Sequence, residues 1–286
     1  MSRIVYLNGE YLPEAEAKVS IFDRGFVMAD AVYEVVTVLD GKLIDFDGHL
    51  ARLDRSLAAL EITQPLAHGD YLAMFRELVA RNDITDGMIY LQVTRGNPGD
   101  RDFTYPVTGV TPTVSAFTQA KPDMARTPSA LTGISVITVP DERWGRRDIK
   151  TTQLLYPSLA KMKAKAKGAH DAWMVEDGKV TEGTSNNAYI IKDGRIITRE
   201  LSHDILHGIT REAVLRLARE AQMTIEERAF TPEEAMAADE AFVTSASAFV
   251  TAVVEIDGAK IGAGTPGPVA TRLRDIYLDE MRKTAI

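Results

Sequence analysis

Apolar positions along this chain follow two periods. Leu50, Leu53, Leu57 and Leu60 fall three or four apart, the spacing that draws one apolar stripe down a helix. Further helical windows cover 71–81, 157–167, 210–222 and Pro268–Thr284, and the last two open at a threonine and a proline, which suit helix starts. Elsewhere, alternating or fully apolar runs are divided by Asn8-Gly9, Asp40-Gly41, Asp177-Gly178, Asp193-Gly194 and Asp257-Gly258. These dipeptides tolerate the positive φ angles of tight hairpins, which predicts much antiparallel sheet. Ala31–Leu39 and 42–46 pair through Asp40-Gly41, and 172–176 and 179–181 through Asp177-Gly178. The expected class is α+β, mainly antiparallel sheets with packed helices. Pro122 and Pro128 make 121–129 the most linker-like stretch, separating a smaller N-terminal domain (1–120) from a larger C-terminal one (130–286).

Composition narrows the possible chemistry. With 286 residues, 45% hydrophobic and 26% charged, the chain can bury a sizeable core. It has no cysteine, which removes disulfides, thiolate metal sites and cysteine nucleophiles and makes a cytoplasmic location the expected one. Met1 to Asn8 lacks a basic patch followed by an apolar core, and no uncharged apolar stretch of about 18 residues occurs, so neither export nor a membrane partner is expected. The formal charge of -8, with no basic block outside Lys161 to Lys167, argues against nucleic acid as a partner. Those lysines read as a solvated helix face.

Two motifs look chemical without being so. Gly262, Gly264 and Gly267 spell G-x-G-x-x-G, but a dinucleotide turn needs a strand after its helix, and too little chain follows. A loop is expected. His203 and His207 have metal-ligand spacing but lack a third ligand, and Gly208 interrupts any helix, so they read as a turn and no metal is expected.

With thiol and metal routes closed, an activated lysine remains the route to covalent catalysis on small amines and carbonyl compounds. Lys150, in Arg147-Asp148-Ile149-Lys150-Thr151-Thr152, stands apart from the charge runs. Val180-Thr181-Glu182-Gly183-Thr184-Ser185-Asn186-Asn187 puts an acid at a strand end, where it can face a cofactor, and then a Gly-Ser-Asn-rich turn. Leu206-His207-Gly208-Ile209-Thr210-Arg211 sets a glycine turn against a helix start, where free N–H groups and the helix dipole favour phosphate. Arg52 lies one helical turn from His49 and can clamp phosphate, and Val243-Thr244-Ser245-Ala246-Ser247 is a hydroxyl-rich strand end.

The order and wording of these segments, together with Asp23-Arg24-Gly25, Ala31-Val32-Tyr33-Glu34-Val35-Val36 and Gln92-Val93-Thr94-Arg95-Gly96, resemble the class IV aminotransferases over nearly the whole chain. Within these fold-type IV pyridoxal-phosphate enzymes the D-amino-acid aminotransferases are the nearest. The resemblance implies a two-domain α+β fold, pyridoxal 5′-phosphate between the domains, and a homodimer. It implies that Lys150 forms the Schiff base and that Glu182 bonds the pyridine nitrogen. Arg52, the backbone N–H groups of Ile209 and Thr210, and Ser245 and Ala246 would hold the phosphate. Tyr33 and Arg101 match residues that bind the substrate carboxylate, Arg101 after a one-residue insertion.

Two departures bear on substrate. Phe103 stands where a histidine usually completes the carboxylate trap, and Phe26 to Ala31 lacks the usual glycines. The implied reaction moves an amino group from a D-amino acid, such as D-alanine or D-glutamate, to pyruvate or 2-oxoglutarate by a ping-pong mechanism. A branched-chain L-amino-acid aminotransferase, an (R)-amine transaminase and a 4-amino-4-deoxychorismate lyase use the same cofactor and remain open. A non-catalytic binding protein would keep the fold without the constellation of Lys150, Glu182 and Arg52.

Overall fold

In the computed structural model, which describes residues 2–106 and 109–286, the five Asn-Gly and Asp-Gly dipeptides expected to form hairpin turns have positive φ at both positions. The first residue lies at 48° to 52° and the glycine at 72° to 100°. Each dipeptide joins two antiparallel strands, as turns of this hand must to match strand twist.

The chain divides into two compact units. The first comprises Met1–Pro122, Ile149–Gln153 and Ala285–Ile286. Its strands are β1 (Ile4–Leu7), β2 (Glu10–Pro13), β3 (Ala31–Leu39), β4 (Lys42–Leu43), β5 (Gly87–Thr94) and β6 (Thr113–Ala120). They form one antiparallel sheet in the order β2-β1-β6-β5-β3-β4. Three helices accompany it, α1 (Arg24–Met28), α2 (Phe46–Ala59) and α3 (His68–Arg81). The expected stripe on α2 is buried at Leu50, Leu53 and Leu57, and Phe46 meets Phe75 of α3 edge-on at 5.8 Å. β4 is shorter than the sequence reading of 42–46, because Asp45 turns left-handed (φ 52°) and α2 begins at once.

The second unit comprises Asp123–Asp148 and Leu154–Thr284. It holds β7 (Ile134–Pro140), β8 (Asp171–Glu176), β9 (Lys179–Gly183), β10 (Asn187–Lys192), β11 (Arg195–Thr198), β12 (Thr224–Glu227), β13 (Glu240–Ser245), β14 (Phe249–Ile256) and β15 (Ala259–Lys260). Its helices are α4 (Pro128–Thr132), α5 (Leu155–Ala166), α6 (Ile209–Glu220), α7 (Pro232–Met236) and α8 (Pro268–Thr284). The strands make a sheet ordered β12-β11-β10-β13-β14-β7-β8-β9, with β15 beside β14.

Three of its pairings are parallel: β7 with β8, β7 with β14, and β11 with β12. A hairpin cannot join parallel strands, so α5 carries the crossover from β7 to β8 and α6 that from β11 to β12. The second crossover sets where the α6 N-terminus falls. Gly262 and Gly264 lie in the loop between β15 and α8 at positive φ. Glu240 accepts from the N–H groups of Val269 and Ala270, capping α8. In 121–129 the chain makes a 3₁₀ turn (Met124–Arg126) and buries Met124. Among the described residues no helix is long and apolar enough to cross a membrane.

Trp173, Ile190, Ile197, Phe230, Val243 and Val253 are central to the main core of this unit. Trp173 is fully buried edge-on to Phe230, and among the described residues its Nε1–H has no hydrogen-bond partner. Trp173→Ala is expected to lower the unfolding free energy by about 3 to 5 kcal/mol. Trp173→Phe discards the unpaired donor with part of the ring and is expected to cost less than about 2 kcal/mol. Urea titrations of both variants measure the difference, and equal losses would refute the account.

Candidate active site

Lys150 belongs to the first unit. Residues 149–153 run beside the start of β3, where Tyr33 N–H donates to the Lys150 carbonyl (3.0 Å) and Thr152 N–H to Ala31 (3.2 Å). Lys150 N–H donates to Ser56 Oγ of α2 (3.3 Å). The backbone is thus tied on both sides, while the ammonium lies 4.3 Å from the Tyr33 ring centroid and makes no ion pair among the described residues. Tyr33 stacks on Tyr90 at 5.5 Å, and Tyr90 on Phe117 at 5.0 Å. An amine held against an aromatic face, with no carboxylate to neutralise it, is available to a carbonyl carbon.

Tyr33 and Glu34 are neighbours on a strand, so their side chains take opposite faces. Glu34 is fully buried and accepts from Arg52 Nε (2.8 Å) and Nη2 (2.6 Å), with His49 Nδ1 2.7 Å from its Oε2. His49 and Arg52 reach it together because three residues on α2 make about one turn. Burial would raise the Glu34 pKa, but Arg52 and His49 outweigh it and hold the carboxyl at about 2. Glu34 therefore orients Arg52 by occupying one edge of its fork. Arg101 is exposed on the β5–β6 connection, its guanidinium 4.7 Å from the ring of Phe103, itself 80% exposed. Among the described residues Arg101 makes no hydrogen bond with Tyr33 or Lys150.

In the second unit, β9 carries Glu182 next to its final residue, Gly183, and the buried Glu182 carboxylate accepts from Arg143 Nη1 (2.5 Å), Asn187 Nδ2 (3.0 Å) and Leu206 N–H (3.1 and 3.2 Å). Burial pushes its pKa up against the opposing pull of Arg143. Arg143 also forks onto Asp141, and Arg147 onto Glu176, with Asp141 3.5 Å away. Three carboxylates (Asp141, Glu176, Glu182) thus meet two guanidiniums, which leaves this cluster one negative charge in excess. A protonated aromatic nitrogen suits such a cluster.

Asn187 connects this acid to the rest. Its amide also donates to the Leu206 carbonyl (3.0 Å), and its Oδ1 lies 2.1 Å from where a Cβ on residue 208 would fall. Gly208 is a glycine because Asn187 occupies that space. It precedes α6, whose first N–H groups, at Ile209 and Thr210, have no carbonyl one turn back within the helix. Asn187 pairs in register with Thr244 on β13, so Ser245 and Ala246 follow directly beyond that pair. Glu182, the α6 N-terminus and the β13 end are therefore assembled around one asparagine. One unit offers an anion-favouring helix end and a buried acid, and the other an unpaired amine and a buried arginine. These are the donor types that a phosphorylated pyridine aldehyde requires.

Sequence reasoning missed Glu34, Arg143 and Asn187 as site residues. Glu34 alone left a signal, as an acid within an otherwise apolar strand run. His203 is exposed and His207 Nε2 is 3.1 Å from the Ser202 carbonyl, and among the described residues no three potential ligands cluster.

The model of the family described as amino-transferase class IV matches residues 31–256. D-alanine aminotransferase of Bacillus licheniformis is 42% identical over 98% of this chain and 99% of its own length. That of Staphylococcus haemolyticus is 39% identical over 95% of each. Among solved structures, a branched-chain aminotransferase of Thermoproteus uzoniensis superposes with a TM-score of 0.84 at 26% identity, covering 97% of this chain and 94% of its own. The branched-chain enzyme of Escherichia coli gives 0.90 at 21% identity, with 98% and 95% covered, a likeness of fold. With a family match spanning most of the chain and full-length relatives above 30% identity, this protein belongs to the class IV aminotransferases.

Proposed function

We propose that this aminotransferase uses pyridoxal 5′-phosphate to move an amino group from a D-amino acid, of the D-alanine or D-glutamate type, to a 2-keto acid such as pyruvate or 2-oxoglutarate. The observation that carries the chemistry is the Lys150 amine, tied by its backbone and paired with no acid. The handedness is supported by the full-length relatives named D-alanine aminotransferases at up to 42% identity, against 26% for the branched-chain enzyme of Thermoproteus uzoniensis.

When bound, the cofactor supplies an electron sink that acidifies the substrate α-carbon. Lys150 Nζ would anchor it, and as a free amine would take the proton from that carbon. Tyr33 limits where the amine can sit. Glu182, oriented by Arg143, Asn187 and Leu206 N–H, keeps a proton on the pyridine nitrogen. Ile209 and Thr210 offer backbone N–H groups to the phosphate, Ser245 and Ala246 add contacts, and Arg52 adds charge while Glu34 holds it. Arg101 and Tyr33 bind the substrate carboxylate, and Phe103 contributes no donor. Residues of a second copy would complete the site of a homodimer.

A panel pairing D- and L-amino acids and (R)- and (S)-amines with pyruvate and 2-oxoglutarate tests this reading. D-alanine is expected to lead. In Arg101→Ala, kcat/KM for D-amino acids should fall about tenfold to a hundredfold, the worth of a charge-assisted carboxylate contact, with little loss on a carboxylate-free amine. A panel led by L-leucine would instead support the branched-chain reading, and equal losses on acid and amine would make Arg101 a loop residue.

Borohydride reduction of the holoenzyme followed by peptide mapping is expected to label Lys150, and Lys150→Ala to lose both label and turnover. A label on another lysine would refute the assignment.

Glu182→Gln is expected to retain the cofactor but to slow proton abstraction by about tenfold or more, because a neutral amide no longer favours the protonated pyridine nitrogen. Single-turnover rates equal to the parent's would remove Glu182 from that role.

A further inference from the structure

Arg274 of α8 is 8% exposed, yet it forms no ion pair among the described residues. Its guanidinium donates only to carbonyls: Nη1 to Ala248 (2.8 Å) and Val250 (2.5 Å), and Nη2 to Ala125 (2.8 Å). Burial draws its pKa below the ordinary arginine value, and Asp275, the next residue, is exposed. Asp275 offsets the burial in part, but among the described residues the guanidinium bonds only carbonyls, and a charge removed from water in this way is a cost to the fold.

The two carbonyls gripped by Nη1 flank Phe249. That residue is fully buried and left-handed, with φ at 58°, an unfavourable backbone state for a bulky side chain. Its ring lies 5.5 Å from the guanidinium and 6.1 Å from that of Tyr277, also on α8. Phe249 pairs in register with Ser245, and Ser245 Oγ accepts from the N–H of Ala248 (3.1 Å), closing the turn between β13 and β14. The Ala248 carbonyl takes a second bond from Thr251 Oγ1 (2.8 Å). One guanidinium nitrogen bonded to the carbonyls of both 248 and 250, while the second holds Ala125, thus resists relaxation of the strained residue between them.

We infer that Arg274 is a positioning residue for phosphate recognition: it clamps the strained Phe249 turn that presents Ser245 and Ala246, and its unneutralised charge favours a phosphate monoester at that turn. The inference rests on the proposed phosphate role of Ser245 and Ala246. It explains why a buried arginine with no acid is kept in α8, since a bound dianion would supply the missing negative charge in the same unit. Arg274 itself need not touch the ligand.

The test compares two probes on protein freed of cofactor, pyridoxal 5′-phosphate and pyridoxal, which lacks the phosphate. The parent is expected to favour the phosphorylated form. In Arg274→Met the dissociation constant for pyridoxal 5′-phosphate should rise about tenfold while that for pyridoxal stays within about twofold, since only the phosphate contacts depend on the turn. Arg274→Lys keeps the charge but cannot bond Ala248, Val250 and Ala125 from two fixed nitrogens, and should show the same selective loss at about threefold, which carries the comparison should the methionine variant not fold. Equal weakening of both probes would make Arg274 a purely structural residue and overturn the inference, as would no change in either. A parent with no preference for the phosphorylated probe would refute the underlying phosphate reading, and is visible before any variant is made.

Discussion

A carboxylate cannot be taken out of water without donors aimed at it, and the second unit is built around meeting that demand at Glu182. Arg143 reaches it from the segment after β7, Asn187 from β10 and Leu206 N–H from the approach to α6. Each of these groups has a further duty. Arg143 is gripped by Asp141, Asn187 holds the Leu206 carbonyl and forces glycine at position 208, and position 208 opens α6. The helix end that can receive a phosphate is therefore located by the hydrogen bonds that satisfy the acid.

The first unit handles its charges differently. Glu34 is as deeply buried, but it is neutralised inside the unit by Arg52 and His49 and stays ionised at any ordinary pH. Lys150, on a segment that returns to this unit from the middle of the sequence, keeps its charge unpaired against an aromatic ring. Leaving it opposite Tyr33 keeps the amine in place while favouring neither a salt bridge nor solvent.

Opposite charge balances thus coexist in one chain. The cluster at Glu182 carries one more acid than base, which suits a cationic ring nitrogen, whereas Arg274 is a base with no acid, which suits an anion. A phosphorylated pyridine carries both kinds of group, and neither imbalance is explained by the stability of the chain alone, where a lone buried charge only costs.

The hairpins were determined by the sequence itself. Asn-Gly and Asp-Gly reach positive φ at little cost, and five such pairs that divide alternating or apolar runs could be read as turns from the local sequence, whereas Asp47-Gly48 falls inside α2 and Asp86-Gly87 at the start of β5. Leu50, Leu53 and Leu57 likewise announced α2, because a helix repeats its own period. The resemblance of ordered segments named Lys150, Glu182 and Arg52, the residues to which the proposed chemistry is assigned. Tertiary structure alone decided the parallel pairings of β7, β8, β11, β12 and β14, since strand order depends on which crossover helix packs where. It alone decided the partners as well. Glu34 meets Arg52 across 18 positions, Glu182 meets Arg143 across 39, and Arg274 meets Val250 across 24. Burial and charge compensation arise only when distant segments share a volume from which water is excluded, and no local pattern of residues encodes that exclusion.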